Sequence, residues 1–134
     1  ERIGTLAEAF KEQSGLPVAL EVRGEPRELP PDARLAMYRT AQEALTNVRR
    51  HATAERVDVK LDYGPDSTVL VVEDHVDLGP HPPPPPAANG LTGGYGLTGM
   101  RERAELLGGE LLALPTPTGF RVELRLPANG QAGE

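Results

Sequence analysis

The chain has no cysteine and no tryptophan, and aromatic residues make up 4% of its 134 positions. Without cysteine there are no disulfides and no thiolate metal sites, a usage that fits a reducing cytosol. Scarce aromatics leave Leu, Val and Ala to build the core. Positive charge is also in short supply. Lys and Arg number 14 against 20 Asp and Glu, for a formal net charge of −6. A nucleic-acid surface carries a basic patch, so no nucleic-acid partner is expected. No apolar run approaches the roughly 20 residues of a membrane span, and the opening residues lack a signal peptide's apolar stretch. The expectation is a segment with no membrane contact of its own, in the cytoplasm, whether or not a parent protein is anchored. The chain opens in helical register with ERIGTLAEAF, as a piece of a longer protein would.

What is present reads as one domain with a real core. Ile3, Leu6, Ala7 and Phe10 share a helical face, and Gly15 stops that helix. Val18, Leu20 and Val22 alternate in a strand, and Asp32 is placed to N-cap a long helix reaching about Ala52. Residues 55–63 alternate cleanly and residues 68–73 are more fully apolar, so two strands are expected, paired through the GPDS turn. Residues 78–94 include HPPPPPAANGLTGG, which suits neither a helix nor a central strand. They are expected to form a lid, over about residues 78–96. Leu97, Met100, Ala104 and Leu107 mark a helix ended by Gly108 and Gly109, followed by strands over 110–114 and 120–126. Residues 1–127 are expected to form the domain, and 128–134 a disordered tail. Strands gathered in hairpins predict an α+β fold: a two-layer sandwich whose mixed, mostly antiparallel sheet has its helices on one face.

Three segments carry chemistry. In YRTAQEALTNVRRHA, at about 100° per residue, Glu43, Asn47, Arg50 and His51 share one face, with Ala41, Leu45, Val48 and Ala52 opposite. A carboxylate, a carboxamide, a guanidinium and an imidazole together suit a metal–phosphate site, although a polar stripe is commonly a solvated face. In LVVEDHVD, Asp74 ends an apolar strand beside the lid, where it could accept a hydrogen bond from a base amine or simply form a turn. In GGYGLTGM, glycines run into a helix N-terminus, which favours a phosphate; the signal is weak alone and is not the Walker pattern.

In this order the three segments resemble one family. EALTNVRRHA, a strand-terminal Asp, a lid and GYGLTGMRERAELLGGEL are similar to the ATP-binding catalytic domain of two-component sensor histidine kinases. The narrower resemblance is to the nitrate-sensor and desaturase-thermosensor type. The fold it implies is the Bergerat-type sandwich shared with type II topoisomerases and Hsp90 chaperones. The function it implies is donation of the ATP γ-phosphoryl group to a histidine on a dimerisation helix, with a response regulator downstream and a homodimeric parent. By that resemblance Asn47 holds Mg²⁺, Glu43 polarises or deprotonates the attacking group, and Arg50 and His51 face the phosphates. Asp74 takes the adenine amine. Gly94, Tyr95, Gly96, Thr98 and Gly99 shape the end of the lid, and Leu97 and Met100 are apolar walls.

Two departures stand out. The family expects Asn-Gly-x-Gly after the Asp, where this chain has His75, Val76, Asp77 and Leu78. Near the end it often has Gly-Thr, whose hydroxyl supports the Asp; here Phe120 follows Gly119, so Asp74 is expected to lose that brace. An anti-sigma-type serine kinase and a degenerate docking module are the competing readings.

Overall fold

Alternation along the strands decides which side of the sheet is covered. The computed structural model describes residues 2–51, 54–76 and 97–127. Its elements are α1 (Arg2–Ser14), β1 (Val18–Gly24), α2 (Pro31–His51), β2 (Arg56–Tyr63), β3 (Ser67–His75), α3 (Leu97–Leu106), β4 (Glu110–Thr116) and β5 (Gly119–Pro127). The strands form one sheet in the order β1-β2-β3-β5-β4. β1 runs parallel to β2, and the other neighbours are antiparallel. Val57, Val59 and Leu61 of β2 are buried, as are Leu70 and Val72 of β3 and Val122, Leu124 and Leu126 of β5. They meet Phe10 of α1, Met37, Ala41, Leu45 and Val48 of α2 and Ala104 of α3 in a single core. Leu124 is 0% exposed, and burying a leucine completely contributes about 1.5–3 kcal/mol. The other sheet face is polar: Arg121 reaches Glu73 at 3.5 Å and Glu123 at 2.9 Å. The expected sandwich, with helices on one face of a mixed sheet, is borne out.

Several boundaries move, each for a local reason. α2 begins at Pro31, so Asp32 lies in its first turn and is not the cap. The first helical bond runs from the Arg34 N–H to the Pro30 carbonyl at 2.9 Å. A proline fits the first helical position because the N–H it lacks would have no partner there. Asp32 then sits where the helix dipole favours negative charge. β3 continues through Asp74 to His75, because Asp74 pairs with Val57 and Phe120, and His75 with Arg56 and Gly119. Asp74 is therefore inside a doubly paired strand. The apolar run ends earlier because Glu73 and His75 on the open face and Asp74 on the helix-bearing face are polar.

α3 stops where expected. Gly108 has a φ of 84°, and its N–H bonds the Glu105 carbonyl at 3.0 Å while the Gly109 N–H bonds Ala104 at 2.8 Å. That reversed pair is the Schellman cap, which needs a left-handed residue. The expected lid and tail lie outside the described residues. Among the described residues no helix is long and apolar enough to cross a membrane.

Candidate functional site

α2 supplies the first half of the site. Its buried residues, Ala36, Met37, Thr40, Ala41, Ala44, Leu45, Asn47 and Val48, cover an arc of about 180°. Arg49 and Arg50 are exposed, and Glu43 is half-buried at the margin of the arc. Asn47 falls inside it, only 9% exposed. The division of this helix into one apolar and one solvated face therefore fails at Asn47. α2 packs on β3 and β5 and also has α1 and α3 beside it, so more than one stripe is covered.

The burial of Asn47 has a consequence. Its side-chain oxygen Oδ1 is shielded from solvent and has no hydrogen-bond partner among the described residues. Such an orphan costs about 1–3 kcal/mol unless something outside the chain satisfies it. A neutral amide oxygen is a hard donor of the type that magnesium accepts, so the residue fits the metal that the helix motif implies. Among the described residues no cluster of three or more His, Asp or Glu side chains offers another metal site.

β3 supplies the second half. Asp74 is half-buried and alternates with Leu70 and Val72, which places it on the helix-bearing face. The Phe120 backbone N–H donates to Asp74 Oδ1 at 3.1 Å. Phe120 has no hydroxyl to offer, but its main-chain amide holds the carboxylate, and its ring packs against the core margin. Gly119 is required beside it, because a Cβ there would strike the Asp74 backbone oxygen and Oδ1.

His75 belongs to the opposite face. Its Nδ1 lies 2.9 Å from Thr118 Oγ1. Its Nε2 lies 3.1 Å from Asp58 Oδ2 and 3.9 Å from Glu73 Oε1 and makes no hydrogen bond among the described residues.

α3 closes the third side. Gly99 is exposed, and a Cβ built on it would meet nothing within 4 Å. Met100 is half-buried against the core. Leu97 and Thr98 open the helix, and His51 closes α2, but the side chains of these three lie outside what is described. Gly94, Tyr95 and Gly96 lie outside the described residues altogether. α2, which carries Glu43 and Asn47, packs on both α3 and β3, the strand of Asp74. A cavity of about 310 Å³, lined by Met37, Tyr38, Leu61 and Tyr63 among others, lies toward the other end of α2 and includes neither Asn47 nor Asp74.

Sequence reading passed over Thr116 and Thr118. Thr116 Oγ1 accepts the Gly119 N–H at 2.9 Å, and the Thr118 carbonyl accepts the Val76 N–H at 2.9 Å. The TPTG hairpin turn was the available signal.

Comparison with known proteins adds independent findings. Residues 32–130 match the family model described as histidine kinase-, DNA gyrase B-, and HSP90-like ATPase. The chain is 36% identical over 124 residues to the sensor histidine kinase YxjM of Bacillus subtilis, covering 91% of this chain and 28% of that protein. It spans between a quarter and three tenths of the length of the first curated relatives it matches. Among solved structures, the histidine kinase domain of the Erythrobacter litoralis EL346 blue-light activated histidine kinase superposes with a TM-score of 0.72. That match has 22% identity and covers 94% of this chain and 59% of the other. The catalytic domain of histidine kinase ThkA gives a TM-score of 0.74 at 16% identity, covering 96% and 91%.

Proposed function

The chain belongs to the family of histidine kinase-, DNA gyrase B- and HSP90-like ATPases and is homologous to sensor histidine kinases, and from that premise we propose that it is the nucleotide-binding catalytic unit of a longer sensor kinase. It would bind ATP and present the γ-phosphoryl group to a histidine on a dimerisation helix of the parent, which then passes it to a response regulator. The observation that carries this reading is the buried, unpartnered Oδ1 of Asn47, one helical turn after Glu43. A fold keeps such an oxygen at a cost, and a bound group that repays the cost is the simplest reason.

The roles follow from chemistry. Magnesium held at Asn47 Oδ1 would supply positive charge to neutralise phosphate oxygens. Glu43, at the solvent margin, is placed to polarise or deprotonate an attacking imidazole that arrives from outside the domain. Asp74 offers a carboxylate oxygen to the exocyclic amine of adenine. Arg50 would contribute positive charge and donors toward the phosphates, and His51 a ring nitrogen. Among the described residues nothing lies within 4 Å of a Cβ built on Gly99, which suits a ligand passing close to the backbone at the start of α3. Gly94, Tyr95, Gly96, Thr98 and Gly99 would frame the phosphates, with Leu97 and Met100 as apolar walls. Transfer in such a site is mostly positioning and charge neutralisation.

Calorimetric titration with ADP, with and without Mg²⁺, tests the reading. Wild type should bind in a Mg²⁺-dependent manner and Asn47→Ala should lose that dependence. A folded Asn47→Ala that binds Mg·ADP as well as wild type would overturn the assignment.

A further inference from the structure

Asp74 can tell one base from another only if its carboxylate is held in one pose. A 6-amino group donates a hydrogen bond and a 6-oxo group accepts one, so a fixed acceptor welcomes the first and repels the second. The pose of Asp74 depends on residues 119 and 120. Phe120 supplies the N–H at 3.1 Å, and Gly119 sits so close that no side chain fits between. Those two residues begin β5, directly after the turn that joins β4 to β5, and a turn at the end of a hairpin is where a sheet opens most readily.

Two contacts tie this turn to the end of β3. The Val76 N–H donates to the Thr118 carbonyl at 2.9 Å, and Thr118 Oγ1 meets His75 Nδ1 at 2.9 Å. The imidazole reaches on to β2, where its Nε2 lies 3.1 Å from Asp58 Oδ2. One ring therefore spans from β2 across β3 to the turn. Arg56 lies 3.5 Å from Asp58, and Arg121 3.5 Å from Glu73, so both carboxylates near the ring have cationic neighbours of their own. Nε2 faces those carboxylates, and Nδ1 and the Thr118 hydroxyl form the hydrogen bond that reaches the turn.

We propose that the His75–Thr118 pair is a base-specificity device: it holds the β4–β5 turn against β3 so that Asp74 keeps the orientation that selects an adenine over a 6-oxopurine. The proposal rests on the nucleotide-binding reading above. His75 and Thr118 face away from the helix-bearing side that carries Asp74 and act through it, so they are positioning residues. A loosened turn frees the Phe120 N–H to move, and the Asp74 carboxylate then rotates and takes its contacts from water. Phosphate-side contacts on α2 and α3 are untouched by that change, so binding weakens only where the base is read.

The test compares ADP with inosine 5′-diphosphate, which differs at the 6-position, by calorimetry in Mg²⁺. Wild type, Thr118→Val and Thr118→Ser are measured, with His75→Gln as a second probe of the same pair. Thr118 is exposed on a turn, and thermal melts confirm folding. Wild type should favour ADP. Thr118→Val should weaken ADP about 3- to 10-fold, the worth of one hydrogen bond, with inosine diphosphate unchanged. Thr118→Ser keeps the hydroxyl and should restore the preference, and His75→Gln should follow Thr118→Val. An unchanged ratio in Thr118→Val, or equal loss for both nucleotides, overturns the proposal. Wild type that binds both nucleotides equally shows that Asp74 does not read the base. Wild type that binds neither overturns the nucleotide-binding reading itself, and this proposal with it.

Discussion

Replacing Gly119 by alanine puts a methyl group where the Asp74 backbone oxygen and Oδ1 already lie. The backbone oxygen cannot swing aside, because Asp74 is paired with Val57 on one side and Phe120 on the other. Either the turn moves away from β3 or the strand does. Overpacking of this kind costs about 1–3 kcal/mol. Displacing the carboxylate also weakens the Phe120 N–H to Oδ1 bond, and a hydrogen bond to a charged acceptor contributes about 1.5–3 kcal/mol. The two overlap, so a total of about 2–4 kcal/mol is expected. A domain of this size loses about 4 °C of Tm per kcal/mol, so the variant should melt about 10 °C below wild type. Urea denaturation at an unchanged slope should give the same free energy. ADP affinity, measured well below the melting range, should fall about tenfold or more, since the same carboxylate is displaced. Gly109→Ala is the control. Its Cβ would strike the Arg125 carbonyl, so it should destabilise comparably while leaving ADP affinity intact. If Gly119→Ala melts within about 2 °C of wild type, the close approach has no energetic weight and the reasoning is wrong.

Three further outcomes follow from the site. Asn47→Leu should leave the stability of the nucleotide-free domain unchanged or raise it, because it removes an orphaned oxygen costing about 1–3 kcal/mol, while Mg·ADP no longer shifts the Tm. Glu43→Gln in the full parent kinase should keep nucleotide affinity and slow autophosphorylation by about 10²-fold or more; equal loss of both would make Glu43 structural. The isolated chain incubated with labelled ATP should carry no acid-labile phosphate, and a clear signal on His51, His75 or His81 would overturn the donor-only reading.

Periodicity and chemistry alone settled a good deal. Val57, Val59 and Leu61 alternating with Asp58, Lys60 and Asp62 placed β2 and its buried face, because a strand's side chains point to opposite sides whatever surrounds it. The glycine pair 108–109 located the end of α3, since a left-handed cap needs a residue without a side chain. Element order and motif order led to the sheet of mixed direction and to the family. Three features needed the tertiary structure. Asn47 is buried because helices and sheet all pack around α2, a fact about neighbours that no helical wheel contains. Asp74 is braced by a main-chain amide 46 residues away. Every residue but proline carries such an N–H, so residue type could not reveal it and only strand register selects it. His75, adjacent in sequence to Asp74, works on the other face of the sheet and finds Thr118 across the turn. Local spacing decides which elements form and which way their side chains alternate. Contacts between distant residues arise only when the strands take their register and the helices settle on them.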